Sequence, residues 1–476
     1  MTSPLVQLEA AISESFQMLV HPPKGFVPSR QGPDGKPLCD VLIIGAGMNG
    51  LAAAFALRRL GISNIRHIDA GRQGYAGPWL NYARMEYLRS GKNLTGPAQG
   101  HALLTPRAWW QATRPEQSWD ELDYFTRQDW AAYLNWYGRM TAADISWQTE
   151  LTAITTEDDF VIATLAGMNG EEEIVYCRQL VLANGREGLA RPRIPAAFER
   201  FADDPRIQHS SQPLDKQQIP GRHVAVIGLA ASAFDNAATA AEAGARVTLV
   251  GRANTLPRLN KMKHTVTAGF AEGFPLLADS DKLAWLRHIM ACRIAPPRHT
   301  VQRVAKLGID LVCGAEINEV ADQGEALMLT AGAESIRADL VILGTGFTMD
   351  PAAMPALADI ACSVTSWQDR LPASAWHAGD DEWQRFPYLG KGFQFLAKDP
   401  QKQRALGRIR CFNHAAQLSL GNLANDIPHA SFGAERLARA LAADFFVEDN
   451  AHHYQALIDY DDPELLGDEW PAAFCT

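Results

Sequence analysis

Val41-Leu-Ile-Ile-Gly45-Ala-Gly47-Met-Asn-Gly50 is an apolar run that ends in a glycine turn and passes straight into an alanine-rich helical stretch. That stretch reaches Gly61, and the next strand closes at Asp69. The pattern recurs as Val224-Ala-Val-Ile-Gly228-Leu-Ala230-Ala231-Ser232-Ala233, followed by Gly244 and Arg252. In both copies the first glycine precedes the second marker by 16 positions and the charged residue by 24. Two strand-turn-helix-strand units in one register predict an α/β fold with two Rossmann-like dinucleotide-binding domains.

In such a unit, small residues let the backbone approach a pyrophosphate, and the unpaired amides and positive dipole end of the helix face the phosphate charge. Gly45, Gly47 and Gly50 supply the small residues in the first copy. Gly228, Ala230 and Ser232 line the corresponding turn of the second, where Ala230 and Ala233 replace two glycines. An acid at the end of the second strand suits a ribose diol, and an arginine there suits a 2′-phosphate. Asp69 therefore points to FAD or NAD in the first unit, and Arg252 to NADPH in the second.

The chain has 476 residues, 47% of them hydrophobic, enough for two or three domains with sizeable cores. A formal net charge of -10 without a long basic tract points away from nucleic acid and from anionic membranes, and toward a small-molecule ligand. The seven cysteines, at 39, 177, 292, 313, 362, 411 and 475, include no CxxC spacing, so neither a disulfide framework nor a zinc site is indicated and no metal is assigned. The same scatter weighs against a reductase that works through a dithiol beside a flavin. Glu9 and Glu14 interrupt the opening segment, which does not read as a secretory signal, and no apolar run reaches membrane-spanning length. A cytoplasmic protein is expected; a homo-oligomer is compatible with the sequence but not specified by it.

Pro/Gly-rich connectors divide the chain into an N-terminal extension (1–37), a first FAD-domain part (38–215), an NADPH domain (216–340), and a second FAD-domain part with a C-terminal cap (341–476). Within this frame, Trp130, Tyr133, Leu134 and Tyr137 fall at helical spacing and read as a buried face rather than a stacking box. Strands are expected at 144–147, 174–177, 179–183 and 340–347, and a late helix at 433–443.

Two further segments, Val181-Leu-Ala-Asn-Gly185 and Leu343-Gly-Thr-Gly346-Phe347, join the two turns in an order that resembles the class B flavin-dependent monooxygenases. That family comprises flavin-containing monooxygenases, Baeyer-Villiger monooxygenases and amine N-hydroxylases. The resemblance covers most of residues 40–440. Ala76-Gly77-Pro78-Trp79 is similar to the family's Gly-Gly-Thr-Trp segment beside FAD, and the Gly346 region to its second linker. The fingerprint between the two nucleotide motifs is reduced to His209-Ser210, with Asp203, Pro205 and Pro213 in place of its Phe, Gly and final aromatic. The resemblance implies FAD and NADPH as cofactors and molecular oxygen as co-substrate. It also implies a flavin C4a-(hydro)peroxide and oxygen transfer to a small soft nucleophile. Amine N-hydroxylation is favoured over S-oxygenation or Baeyer-Villiger insertion because of the altered fingerprint. The alternative is a flavin oxidoreductase or oxidase that passes electrons on without inserting oxygen.

The segment after Pro78 and Trp79 carries three cations in nine residues, Arg84, Arg89 and Lys92. Arg84 and Lys92 are the chosen candidates to orient an anionic substrate or the NADPH phosphates; equally, they form a solvated basic edge paired with Glu86. Near the end, Asn425 and Asp426 precede a helix whose amides would face a reduced flavin. For Asp426 a simple turn and cap is the stronger alternative.

Overall fold

The computed structural model describes residues 3–466 and 469. The first unit is built on β1 (Cys39–Ile44), β2 (Ile65–Asp69), β3 (Ser146–Trp147), β4 (Thr149–Thr156), β5 (Val161–Gly167) and β6 (Glu172–Leu182). They lie in the order β3-β2-β1-β6-β5-β4, with β1 parallel to β2 and β6, and β5 antiparallel to β4 and β6. Val41, Leu42 and Ile43 are fully buried, which is why β1 reads as an uninterrupted apolar run. The strands expected at 174–177 and 179–183 are one strand, β6. The β4-β5 hairpin escapes a periodicity reading because its small and polar residues give only a weak alternation.

After β7 (Ala190–Pro192) the chain enters the second unit through β8 (Ile207–His209), β9 (His223–Ile227), β10 (Arg246–Gly251) and β11 (Asp310–Cys313). An antiparallel trio follows, β12 (Ile317–Gln323), β13 (Ala326–Ala331) and β14 (Glu334–Ala338), and then β15 (Leu340–Leu343). The second sheet is parallel throughout in the order β11-β10-β9-β15-β8. Its strands therefore run from 207 to 343, wider than the 216–340 expected from the connectors. Three-residue β8 is too short to show a period and precedes the prolines that were read as a boundary. Residues 340–347 are two strands: β16 (Phe347–Met349) leaves the sheet to pair with β7, forming the crossing between units.

The last strand, β17 (Ile409–Cys411), returns to pair with β6 in the first sheet, so the second unit is an insertion in the first. Helix Ala430–Glu448 then packs on helix Met48–Arg59. A second link joins the units: residues 261–291 leave the second sheet and settle on the first unit. Ala271, Phe274, Leu283 and Leu286 share one apolar core with β1 and β6. Arg287 binds Asp380 at 2.5 Å, and the Tyr388 hydroxyl donates to Asp279 at 2.9 Å. Helix Arg127–Met140 buries Trp130, Tyr133, Leu134 and Tyr137, the face expected from their spacing. Among the described residues no helix is long and apolar enough to cross a membrane.

Candidate active site at the mouth of the first sheet

The glycines of the first turn answer to different constraints. Gly45 has φ +100°, and a Cβ there would lie 2.7 Å from the Ala183 carbonyl oxygen. A Cβ on Gly50 would lie 1.8 Å from the Gly45 carbonyl oxygen. The protein's own packing thus demands both. At Gly47 the nearest atom to a Cβ would be Gly77 Cα at 4.0 Å, so nothing in the protein requires a glycine. The open space over Gly47, at the start of helix Met48–Arg59, is a cradle that fits a pyrophosphate. Asp69 accepts from the amides of Ala46 and Gly71, each at 2.7 Å, which fixes its carboxylate and leaves lone pairs for a ribose diol. His67 sits beneath the turn; burial lowers its pKa to about 4, and the neutral ring donates to the Gly45 carbonyl at 2.9 Å. The Gly77-Pro78-Trp79 segment borders the cradle, with Trp79 edge-on to buried Trp130.

The second turn repeats this logic with one exchange. Gly228 has φ +126°, and a Cβ there would approach the Gly344 carbonyl oxygen to 2.5 Å. Ala233, in the third glycine position, fits because the facing residue is Gly344: a Cβ on Gly344 would lie 2.7 Å from Ala233 Cβ. Ala230 caps helix Ala231–Glu242, and both Ala230 and Ser232 are exposed at the turn. Arg252, just past β10, is exposed and forms no ion pair among the described residues. Gly346, at φ +80°, lies in the crossing, where its carbonyl accepts from the Arg193 amide at 2.9 Å and the His209 ring at 2.8 Å. His209, the remnant of the fingerprint, thus ties the two connectors together.

Four loops meet at the C-terminal ends of β1, β6 and β17, where open parallel sheets place their ligands. Ala183 and Asn184 pack on the Gly45 turn, and Asn184 accepts from Asn413 Nδ2 at 2.8 Å. Asn49, in the first turn of the helix, donates to the Ala424 carbonyl at 2.7 Å, which brings in the 421–429 loop. Asn425 faces His414, Oδ1 to Nδ1 at 3.3 Å, and its buried Nδ2 has no partner among the described residues. Tyr82 and Glu187 lie within electrostatic reach of each other; burial raises both groups, the carboxyl against the pull of Tyr82 and Arg186. Burial, with Arg186 adding to it, lowers His414 to about 3 and keeps that imidazole neutral.

The sequence candidates divide. Asn425 lies at this mouth. Asp426 accepts from the His429 amide and ring at 3.0 and 2.8 Å and acts as a turn cap. Arg84 donates to the Gln212 carbonyl at 2.9 Å and lines a separate cleft of about 390 Å³ with Arg127, Lys216 and Arg303. The Lys92 ammonium donates to the carbonyls of Trp119 and Asp120 at 2.8 and 3.1 Å, away from the mouth. Of the three cations in that loop, Arg89 is the one within electrostatic reach of both Arg186 and Asp235 of the second unit. Tyr82, Arg186, Glu187 and His414 were not singled out from the sequence. The one signal for Arg186 and Glu187 was their place just beyond Asn184-Gly185, at a strand's C-terminal end.

No two cysteines meet at this mouth among the described residues. Cys39 and Cys177 are paired in register, but at the far end of β1, and the buried Cys411 thiol donates to Asn413 at 3.3 Å. Nor does any His/Cys/Asp/Glu group suited to a metal ion occur among the described residues.

A two-sheet flavoprotein architecture with a ligand mouth at the strand ends defines the class. The pyridine nucleotide-disulphide oxidoreductase family model matches residues 42–288, and the chain belongs to that family. Over 469 residues, 98% of either chain, it is 33% identical to the FAD-dependent urate hydroxylase of Xanthomonas campestris. Solved structures with the same fold include the ornithine hydroxylase of Pseudomonas aeruginosa, with TM-score 0.67, 15% identity, and coverage of 85% of this chain and 99% of that one. The L-lysine 6-monooxygenase of Pseudomonas syringae gives 0.61, 18%, 85% and 99% in the same order. The class B flavin-dependent monooxygenase resemblance is borne out, and the protein is an enzyme of that kind.

Proposed function

We propose that this enzyme holds FAD at the Gly45–Gly50 turn and NADPH at the Gly228–Ser232 turn, and hydroxylates urate or a closely similar oxidised purine. The observation that carries the substrate is the full-length likeness to a urate hydroxylase, which spans both nucleotide units and every loop of the mouth. The overall change is urate plus O2, NADPH and a proton to a product one oxygen atom richer, NADP+ and water: urate carries no C–H, so the new C–O bond forms at a carbon of its ring C=C bond, a ring N–H gives up its proton, the hydroxyl gains one, and the double bond shifts to C=N. FAD, when bound, supplies the two-electron step from nicotinamide and the activation of oxygen.

The chain's own part is to bind, orient and exclude water. Gly47 admits the FAD pyrophosphate to the helix start, Asp69 receives its ribose, and Pro78 and Trp79 close one side. Ala230 and Ser232 leave the second turn open to the NADPH pyrophosphate, and Arg252 meets the 2′-phosphate. Asn425 Nδ2, buried without a partner, offers a hydrogen bond into the mouth. The neutral His414 holds the Asn425 carbonyl side and turns the amide inward.

Amine N-hydroxylation, favoured by the sequence motifs, remains a second reading, supported by the ornithine and lysine hydroxylase folds; at 15–18% identity that likeness is one of fold. A panel of urate, xanthine, ornithine, lysine and cyclohexanone, followed by NADPH consumption and product mass, separates the readings. Urate alone should stimulate consumption with a stoichiometric hydroxylated product. Stimulation by a diamine with an N-hydroxylated product would replace the purine reading.

A further inference from the structure

The cleft that Arg84 lines is walled by both units and carries more positive charge than it neutralises. It encloses about 390 Å³, with Arg84, Glu86 and Arg127 from the first unit facing Lys216, Glu242 and Arg303 from the second. Hydrogen bonds fix all three guanidinium groups in place. Arg84 donates to the carbonyls of Gln212 and Asn81 at 2.9 and 3.4 Å, Arg127 to the Trp79 carbonyl at 2.6 Å, and Arg303 to the Arg84 carbonyl at 3.3 Å. A carbonyl orients a guanidinium without cancelling its charge. Arg303 also holds Glu242 through two bonds, at 2.7 and 2.6 Å, whereas Arg84, Arg127 and Lys216 form no ion pair among the described residues. Glu86, exposed, is the other acid of the lining, so four cations face two carboxylates. The arginines also press on one another: burial first, then Arg127, lowers the Arg84 pKa, and burial, then Arg303, lowers that of Arg127.

We propose that this cleft is a separate anion-binding site, which takes a multiply charged phosphate group, free or carried by a small metabolite, between Arg84 and Arg127 on one side and Lys216 and Arg303 on the other. Two positive charges in excess suit a dianion or a more highly charged group. The guanidinium groups are held by carbonyls at some of their N–H groups and keep others, Nε and Nη2 of Arg127 among them, for phosphate oxygens, the planar donors that match such an anion. The cleft is not the second nucleotide turn: Glu242 ends helix Ala231–Glu242, about 16 Å along its axis from Ala230. Because each unit supplies cations, an occupied site bridges the two units. The proposal does not depend on which substrate the mouth takes.

The test uses FAD-loaded enzyme saturated with NADP+, so that both nucleotide turns are filled, and titrates it with inorganic pyrophosphate by calorimetry at fixed ionic strength. Wild type should bind one pyrophosphate per chain. Arg84→Gln and Arg127→Gln should each weaken binding roughly 10- to 100-fold, the equivalent of one charge-assisted hydrogen-bond set. Glu86→Gln should tighten it roughly 2- to 5-fold, because an opposing charge is removed and no donor is touched. Arginines that serve packing alone would not respond to Glu86 in that direction. Ribose 5-phosphate titrated in parallel separates the two sources: it binds the tighter of the two if the phosphate is carried by a metabolite, and pyrophosphate does so if it is free, and either result supports the site. No saturable binding of either probe to wild type overturns the proposal, as does binding seen only without NADP+, which marks the nucleotide turn. Unchanged affinity in both arginine variants, or weaker binding in Glu86→Gln, also overturns it. If Arg127→Gln loses FAD through its Trp79 contact, Arg84→Gln and Lys216→Gln decide, and unchanged affinity in both overturns the proposal.

Discussion

At Gly47 the protein itself leaves room for a side chain, and the proposed FAD pyrophosphate would fill that room. Gly47→Val should therefore fold with an unchanged circular dichroism spectrum but be purified colourless, unable to retain added FAD. A yellow G47V protein would contradict the placement. At the second turn, Arg252 is exposed and forms no ion pair among the described residues, free to meet a 2′-phosphate. Arg252→Ala should cost roughly 1.5–3 kcal/mol of NADPH affinity and leave NADH nearly unchanged, read from KM or from titration of the two nucleotides. Equal losses would place the phosphate elsewhere. These turn residues were legible in the sequence because strand, glycine and acid or arginine are fixed by spacing along one chain segment. Arg186, Glu187, Tyr82 and His414 were not, because they come from three separate loops and meet only after the sheet has closed. The loop with Arg84, Arg89 and Lys92 shows the same limit: composition flags three cations, and only packing tells which one reaches the mouth.

The contact between β15 and the second nucleotide helix is a glycine–alanine pair: a Cβ on Gly344 would lie 2.7 Å from Ala233 Cβ, so the alanine in the helix is accommodated by the glycine at the strand end. Gly344→Ala should destabilise by about 1–3 kcal/mol through overpacking, and adding Ala233→Gly should recover part of the loss. Unfolding midpoints of the single and double variants test this; an additive loss would refute the pairing. Elements with strong periodicity or glycine punctuation were readable, among them β1, β9 and helix Arg127–Met140. The β4-β5 hairpin and three-residue β8 were not, since they owe their conformation to neighbouring strands rather than to local pattern.

Across the whole molecule, the end of helix Ala430–Glu448 is anchored by a buried ion network. Arg178 pairs with Glu448 and Asp449 at 2.9 and 2.8 Å, and Arg408 pairs with Glu448 at 2.7 Å. Burial alone would raise the Glu448 carboxyl, but hydrogen bonds and charge from Arg408 and Arg178 outweigh it and hold its pKa down to about 2. A depressed folded pKa stabilises fully above the unfolded value of about 4.3, and that stability is lost as pH falls toward 2. Glu448→Gln should therefore lower the unfolding midpoint at pH 7, with a cost of about 3–5 kcal/mol for leaving buried arginines short of a partner. The gap to wild type should close below pH 4; a gap independent of pH would contradict the ionic account. The same anchoring keeps the 421–429 loop and its Asn425 against the first nucleotide turn, and the 261–291 link fixes the second unit beside it. In the proposed reaction, electrons from NADPH at the second turn and oxygen at the first end as one new C–O bond. Its most direct measurement is turnover of urate with NADPH under 18O2. One labelled oxygen atom per molecule of product and one NADPH consumed per product is the predicted result. Unlabelled product, or NADPH oxidation that yields only hydrogen peroxide or a reduced external acceptor, would contradict it.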